Sequence, residues 1–144
     1  MSTLPSIEES GATPTVLLAD DHVRILESVQ KLLGSAYQVV ACVENGRLAL
    51  DKAVELLPDL VVLDIDMPEM DGIRAAQEMR RLGLKARILF LSVHFEEEYI
   101  EAARKCGDGY IVKSRMATDL HLAIHEAVVG RFFLSEHIKG HGGP

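Results

Sequence analysis

The sequence predicts a doubly wound α/β fold, a five-stranded parallel sheet with five helices packed over its two faces. Three observations carry this expectation: five short apolar runs, five intervening segments with helical spacing, and strict alternation of the two. The runs are Val16-Leu17-Leu18-Ala19, Tyr37-Gln38-Val39-Val40-Ala41, Leu60-Val61-Val62-Leu63, Ile88-Leu89-Phe90-Leu91 and Tyr110-Ile111-Val112. Most are apolar throughout rather than at every second residue, the pattern of parallel strands covered on both faces.

The segments between them repeat at three and four residues. Val23, Leu26, Val29, Leu32 and Leu33 form the first stripe and Leu48, Ala49, Ala53 and Leu56 the second. Ile73, Ala76, Met79 and Leu82 form the third, and Tyr99, Ala102, Ala103 and Cys106 the fourth. Leu120, Ala123, Ile124, Ala127 and Val128 form the fifth. Gly34, Gly83, Gly107 and Gly130 stand where C-terminal caps belong, and Pro58 where a stop belongs. Glu96, Glu97 and Glu98 open the fourth helix, where carboxylates complement the dipole. Right-handed crossovers turn this order into a parallel sheet.

A chain of 144 residues, 48% hydrophobic, is one globular domain with a sizeable core. We expect a flexible segment over 1–13, the folded domain over 14–130 and a tail or the start of a linker over 131–144. The start is polar and acidic, without the features of a signal peptide, and no apolar run reaches the roughly 20 residues of a membrane span. A cytoplasmic location and no membrane partner are expected. The net charge of −7 and scattered basic residues argue against nucleic-acid contact by this chain. Cys42 and Cys106 are expected as buried small hydrophobes, without zinc spacing.

Ligands of open α/β sheets bind beyond the carboxyl ends of the strands. The first run ends in Asp20-Asp21, the third in Asp64 with Asp66 two residues on, the fourth in Ser92 and the fifth in Lys113. The second ends near Glu44-Asn45, a less decisive group. Carboxylates, a hydroxyl and an ammonium therefore converge on one edge. Crowded carboxylates raise one another's pKa values unless a cation compensates, and oxygen ligands of this kind suit Mg²⁺. A nucleophilic carboxylate beside a hard cation, an ammonium and a hydroxyl is a phosphoryl-transfer arrangement. Taken singly, Asp20 could cap the first helix, Ser92 serve a turn and Lys113 be solvated. Asp71-Gly72 starts the third helix.

These residues resemble a known family. Asp20-Asp21, the stretch Leu63-Asp64-Ile65-Asp66-Met67-Pro68-Glu69-Met70-Asp71-Gly72, Ser92 and Gly109-Tyr110-Ile111-Val112-Lys113-Ser114 look like the receiver domains of two-component response regulators, over about residues 14 to 130. The resemblance implies a flavodoxin-like sheet of order 2-1-3-4-5, and a role for each position. Asp64 would be the phosphoacceptor for a sensor histidine kinase or phosphotransfer protein. Mg²⁺, with Mn²⁺ as a substitute, would be held by Asp21, Asp64 and the backbone carbonyl of Asp66, with Asp20 acting through water. Lys113 would pair with the phosphoryl group, Ser92 would bond to one of its oxygens, and Tyr110 would rotate inward behind Ser92. The switched surface would be the fourth helix, fifth strand and fifth helix, the expected surface for a partner or for a phosphorylation-dependent homodimer. Such a domain catalyses its own phosphorylation and dephosphorylation, as a switch rather than a turnover enzyme.

Asp20-Asp21-His22 and Gly130-Arg131-Phe132-Phe133-Leu134-Ser135 are similar to the NarL/FixJ subfamily, whose members usually carry a LuxR-type DNA-binding output. The short tail leaves no room for that output, so an isolated receiver of a transcription regulator and a free-standing receiver both stay open. Several positions depart from the common pattern. Ser114 replaces a frequent Pro, leaving open whether the Lys113–Ser114 bond is cis. Val93 is expected to narrow access, and Glu69 stands where Gly is common. Asp66 is either a tuner of phosphoryl lifetime or solvated. His94 and Phe95 are expected to shape their loop, and His121, His125 and His137 to be surface or packing residues. Two rivals remain. A haloacid-dehalogenase-type phosphohydrolase also uses Asp-x-Asp, but Pro68 stands where that class has Thr or Val. A phosphorylation-independent interaction module would not need the intact acceptor site.

Overall fold

The computed structural model of the chain describes residues 12–136. Five strands and five helices alternate: β1 Thr15–Ala19, α1 Val23–Leu33, β2 Gln38–Val43, α2 Gly46–Leu56, β3 Leu60–Leu63, α3 Gly72–Arg81, β4 Arg87–Ser92, α4 Glu97–Cys106, β5 Gly109–Val112 and α5 Met116–Val128. A sixth strand, β6 Phe133–Leu134, follows. All pairings are parallel, in the order β2-β1-β3-β4-β5-β6. The expected order holds for the first five strands, and the strand count of five is corrected to six. The extra strand lies in the segment expected as tail or linker. It is only two residues long, too short for periodicity to reveal, and it pairs with the outer edge of β5.

Within the apolar runs, alternate residues feed two cores. Leu17, Val61, Leu63, Ile88, Phe90, Tyr110 and Val112 pack with Ala49, Ala53, Ala76, Met79, Ile100 and Ala103, from α2, α3 and α4. Val16, Leu18, Leu60, Val62, Leu89, Leu91 and Ile111 pack with Leu26, Val29, Leu120, Ala123 and Ile124, from α1 and α5. The sheet is therefore covered on both faces, which is why its strands read as unbroken apolar runs.

The edge strand β2 runs two residues beyond the Tyr37–Ala41 run and is mostly half-buried, with Gln38 and Cys42 exposed. Cys42 lies on it and is exposed, contrary to the expected burial, because an edge strand has a neighbour on one side only; Cys106 is buried as expected. Asn45 and Asp71 cap α2 and α3, accepting from Leu48 N and Arg74 N at 2.8 Å each. No described peptide bond is cis, Lys113–Ser114 included. Among the described residues no helix is long and apolar enough to cross a membrane. Most of the expected N-terminal segment, and His137 with the Gly-rich end of the tail, lie outside the described residues.

Candidate functional site

Strand register builds the site. Ala19 pairs with Leu63, so Asp20 and Asp64 are the next residues on neighbouring strands. Their main chains stay joined, with Asp64 N donating to Ala19 O at 2.9 Å and Asp20 N to Val43 O at 3.0 Å. Ser92 pairs with Val112, so Lys113 leaves β5 level with the end of β4. The parallel sheet thus delivers one polar side chain per strand to its carboxyl edge.

Two carboxylates are sheltered there, Asp20 at 2% and Asp64 at 3% exposure. Lys113 Nζ lies 2.9 Å from Asp20 Oδ2 and 3.4 Å from Asp64 Oδ2. Neither Oδ2 has an aligned hydrogen-bond donor, so these are charge contacts rather than directed bonds. One ammonium between two carboxylates leaves an excess of negative charge. Burial pushes the Asp64 carboxyl up to about 6; the Asp20 charge adds to the rise, and Lys113 opposes it.

The exposed Asp21 and His22 complete the cluster. His22 Nδ1 is 3.1 Å from Asp20 Oδ1 and from Asp21 Oδ1. Candidate ligand atoms of Asp20, Asp21, His22 and Asp64 all lie within 4.8 Å of one another. Asp20 is not the cap of α1: its Oδ1 accepts from His22 N at 2.9 Å, and His22 is the cap residue. A donor set dominated by carboxylate oxygen, two of them sheltered and short of donors, fits a hard divalent cation.

Glycine fixes the loop after β3. A Cβ on Gly72 would stand 2.0 Å from Asp64 O, and one on Gly46 would stand 1.9 Å from Met70 O. The start of α3 can therefore press against the peptide of Asp64, and the start of α2 against the loop tip. Gly72 N donates to Ile65 O at 2.8 Å, closing the loop.

Ser92 is fully buried, and its Oγ accepts from His94 N at 3.0 Å. Tyr110 is also fully buried, with its hydroxyl donating to His94 O at 3.0 Å. The inward position is thus already filled in this structure. Burial pushes the Tyr110 phenol up to about 12, against an opposing hydrogen bond with Ser92. His94 Nε2 is 2.5 Å from Asp66 Oδ2, and its ring stacks on Tyr99 at 4.2 Å. His94 therefore ties the β4–α4 loop to the loop after β3, more than the loop-shaping expected of it. Asp66 is largely exposed but partnered rather than merely solvated.

Val93 is exposed and lines a recess of about 300 Å³ beside Lys113, with His22, Arg24 and Ile25. A cavity of about 310 Å³ lies at the opposite edge of the sheet, lined by Leu57, Pro58, Asp59 and Leu84 among others, away from the carboxylates. His121 Nε2 contacts Leu32 O at 2.7 Å from an exposed position, the packing role expected of it. The contact of His94 with Asp66 escaped the sequence reading because it spans two loops, whereas the contacts of His22 with Asp20 and Asp21 are local. The adjacency of His22 to Asp20-Asp21 was the one available signal.

Comparison with known proteins identifies the family. The profile of the response regulator receiver domain matches residues 16–125. The chain belongs to that family. It is 37% identical over 125 residues to the nitrate/nitrite response regulator protein NarL of Escherichia coli K12, covering 85% of this chain and 58% of that protein. It is 35% identical over 115 residues to the chemotaxis protein CheY of Bacillus subtilis 168, covering 78% of this chain and 96% of that protein. A LuxR-family two-component response regulator from Aurantimonas sp. SI85-9A1 superposes with a TM-score of 0.82 at 30% identity, over 90% of this chain and 94% of that one. The receiver domain is of the NarL/FixJ type, and the chain spans little more than half the length of NarL.

Proposed function

We propose that this receiver is switched by phosphorylation of Asp64 in a Mg²⁺-dependent reaction. The observation that carries the proposal is the sheltered Asp20–Asp64 pair, whose Oδ2 atoms have Lys113 beside them but no aligned donor. Asp20, Asp21, Asp64 and the carbonyl of Asp66 are the residues that would hold Mg²⁺, with Mn²⁺ as a substitute. The cation supplies neutralising charge to the site and to the phosphoryl oxygens.

An Asp64 oxygen attacks phosphorus as its bond to a histidine nitrogen of the kinase or phosphotransfer protein breaks, giving an aspartyl phosphate and a free imidazole. Lys113 is placed to pair with the transferred group. The Ser92 hydroxyl turns towards it, and Tyr110 is held in the space behind Ser92. Because Ser92 and Tyr110 both bond to the His94 backbone, the loop entering α4 responds to the new charge.

We place the receiver at 14–130 with β6 appended, and a cytoplasmic location suits it. In a longer NarL-like protein the α4–β5–α5 face would control a transcriptional output, and homodimerisation through that face would follow phosphorylation. The test is acetyl phosphate, or beryllofluoride with Mg²⁺, followed by amide NMR and phosphate-affinity electrophoresis. Signals of Asp64, Ser92 and Tyr110 move in the wild type, and Asp64→Asn takes up no phosphoryl group. A wild-type spectrum indifferent to both reagents overturns the proposal.

A further inference from the structure

Strand β6 is joined to the switch strand by more than its two backbone pairings, Gly109 with Phe133 and Tyr110 with Leu134. Ser135 N donates to the carbonyl of Tyr110 at 3.1 Å. Val112 N, one residue before Lys113, donates to Ser135 Oγ at 3.0 Å. That hydroxyl in turn donates to Asp119 Oδ2 at 2.8 Å, in the first turn of α5. A side-chain oxygen thus takes the place of a third strand residue along the edge of β5.

The two side chains at the centre of this hydrogen-bonded link are sheltered and matched. Ser135 is fully buried and Asp119 is 3% exposed. Asp119 Oδ1 also accepts from Thr118 Oγ1 at 3.0 Å, and the Arg115 guanidinium lies 3.4 Å from both carboxylate oxygens. A buried carboxylate and hydroxyl are tolerated only in fixed geometry, so the link is stiff. Arg104 of α4 lies over the Phe132 ring at 4.6 Å. Residues 132–135 therefore touch α4, β5 and α5, and they lie beyond the stretch that the family profile matches.

We propose that Ser135 and Asp119 are positioning residues of the switch. They hold the strand bearing Tyr110 and Lys113 against the first turn of α5, and they make residues 131–136 move with the state of Asp64. The inference rests on the phosphorylation reading above and adds the route by which that state reaches the chain after α5. A rearrangement at Tyr110 or Lys113 shifts either the Tyr110 carbonyl or Val112 N, and each has Ser135 as its partner.

The test is a beryllofluoride and Mg²⁺ titration of the ¹⁵N-labelled 144-residue chain, following the Ser92 and Lys113 amides separately from those of residues 131–136. In the wild type both groups move along one titration curve. In Ser135→Ala, Ser92 and Lys113 still respond, residues 131–136 do not, and apparent affinity falls about fivefold or more, the low end of ordinary coupling between sites. Ser135→Thr restores the coupled response. Asp119→Asn, which keeps the side-chain volume, serves if Ser135→Ala does not fold. A wild-type response at Ser92 and Lys113 with 131–136 unmoved overturns the inference and leaves the phosphorylation reading standing. So does a Ser135→Ala chain that loses stability while 131–136 respond as in the wild type. No movement anywhere overturns both.

Discussion

The two ends of the parallel sheet handle charge in opposite ways. At the amino ends of β4 and β5, the Arg80 guanidinium donates to the carbonyls of Cys106, Leu84 and Ala86 and to Asp108 Oδ2, at 2.8–3.1 Å. The same Asp108 oxygen accepts from Ile88 N at 2.8 Å. At the carboxyl ends Asp20 and Asp64 are more deeply sheltered, yet each keeps an oxygen without an aligned donor. The less buried Arg80 and Asp108 are the better satisfied, although Arg87 Nε at the same end is buried without a hydrogen-bond partner. Burial alone does not account for this, since a buried carboxylate gains most from hydrogen bonds. One end holds its charges in directed hydrogen bonds; the other leaves carboxylate oxygens open, as the proposed function of Asp64 requires.

The strongest test of this contrast is at the satisfied end. Arg80→Met keeps much of the side-chain bulk but removes the guanidinium from three carbonyls and leaves Asp108 Oδ2 with Ile88 N as its donor. Breaking a fully buried pair costs about 3–5 kcal/mol. Arg80 and Asp108 keep 30% and 23% side-chain exposure, so a loss of about 2–3 kcal/mol is expected. Urea unfolding measures it, and acetyl phosphate labelling of Asp64 should be unchanged. A loss below about 1 kcal/mol would mean that water replaces the guanidinium easily and the two ends are alike.

The acceptor end predicts the reverse: removing its charge stabilises. The Asp64 carboxyl is raised to about 6 in the folded chain, from an ordinary value of 3.8. Between these values the folded chain holds a proton that the unfolded chain has lost, so stability falls as pH rises through this window. Below it the penalty is absent, and above it the penalty is complete. Asp64→Asn should therefore gain roughly 2–3 kcal/mol over the wild type at pH 7 without metal, and almost nothing at pH 4. Mg²⁺ should narrow the gap by stabilising the wild type selectively, by about 2.7 kcal/mol at a hundred times its Kd. Thermal melts of both chains at several pH values, with and without Mg²⁺, test this. An equal gain at pH 4 and pH 7 would show that Asp64 does not carry the penalty.

The acceptor end was also the more legible one. Asp20, Asp64, Ser92 and Lys113 sit where continuous apolar runs stop, and parallel register carries such positions to one edge whatever the helices do. The first five strands follow from the same runs, because both faces of the sheet are covered. What lies between loops was not legible. The Arg80–Asp108 link joins residues 28 apart, and the His94–Asp66 contact spans the same separation. No local pattern marks such partners. Strand β6 was missed for a different reason, since two residues cannot display a period. The buried Ser135 is visible in the sequence only as the end of the Gly130–Ser135 stretch, and no local pattern singles out its partner Asp119.

The smallest predicted effect lies in the loop joining Asp64 to α3, where glycine is used unevenly. Gly72 and Gly46 are dictated by carbonyls about 2 Å from where a Cβ would stand. Glu69 has no such excuse, yet its φ of 71° puts a bulky residue in the left-handed region. That conformation costs a non-glycine residue about 1–2 kcal/mol, which the neighbouring contacts of the loop must offset. Glu69→Gly removes the strain but frees the unfolded chain, so the net gain should be about 0.5–1 kcal/mol, read from the urea midpoint at constant slope. The gain should be the same with and without Mg²⁺, because the relief is in the backbone and not in the charge of the site. A gain that vanished when Mg²⁺ was added would instead assign the effect to the Glu69 carboxylate, and join the loop tip to the electrostatics of the acceptor end.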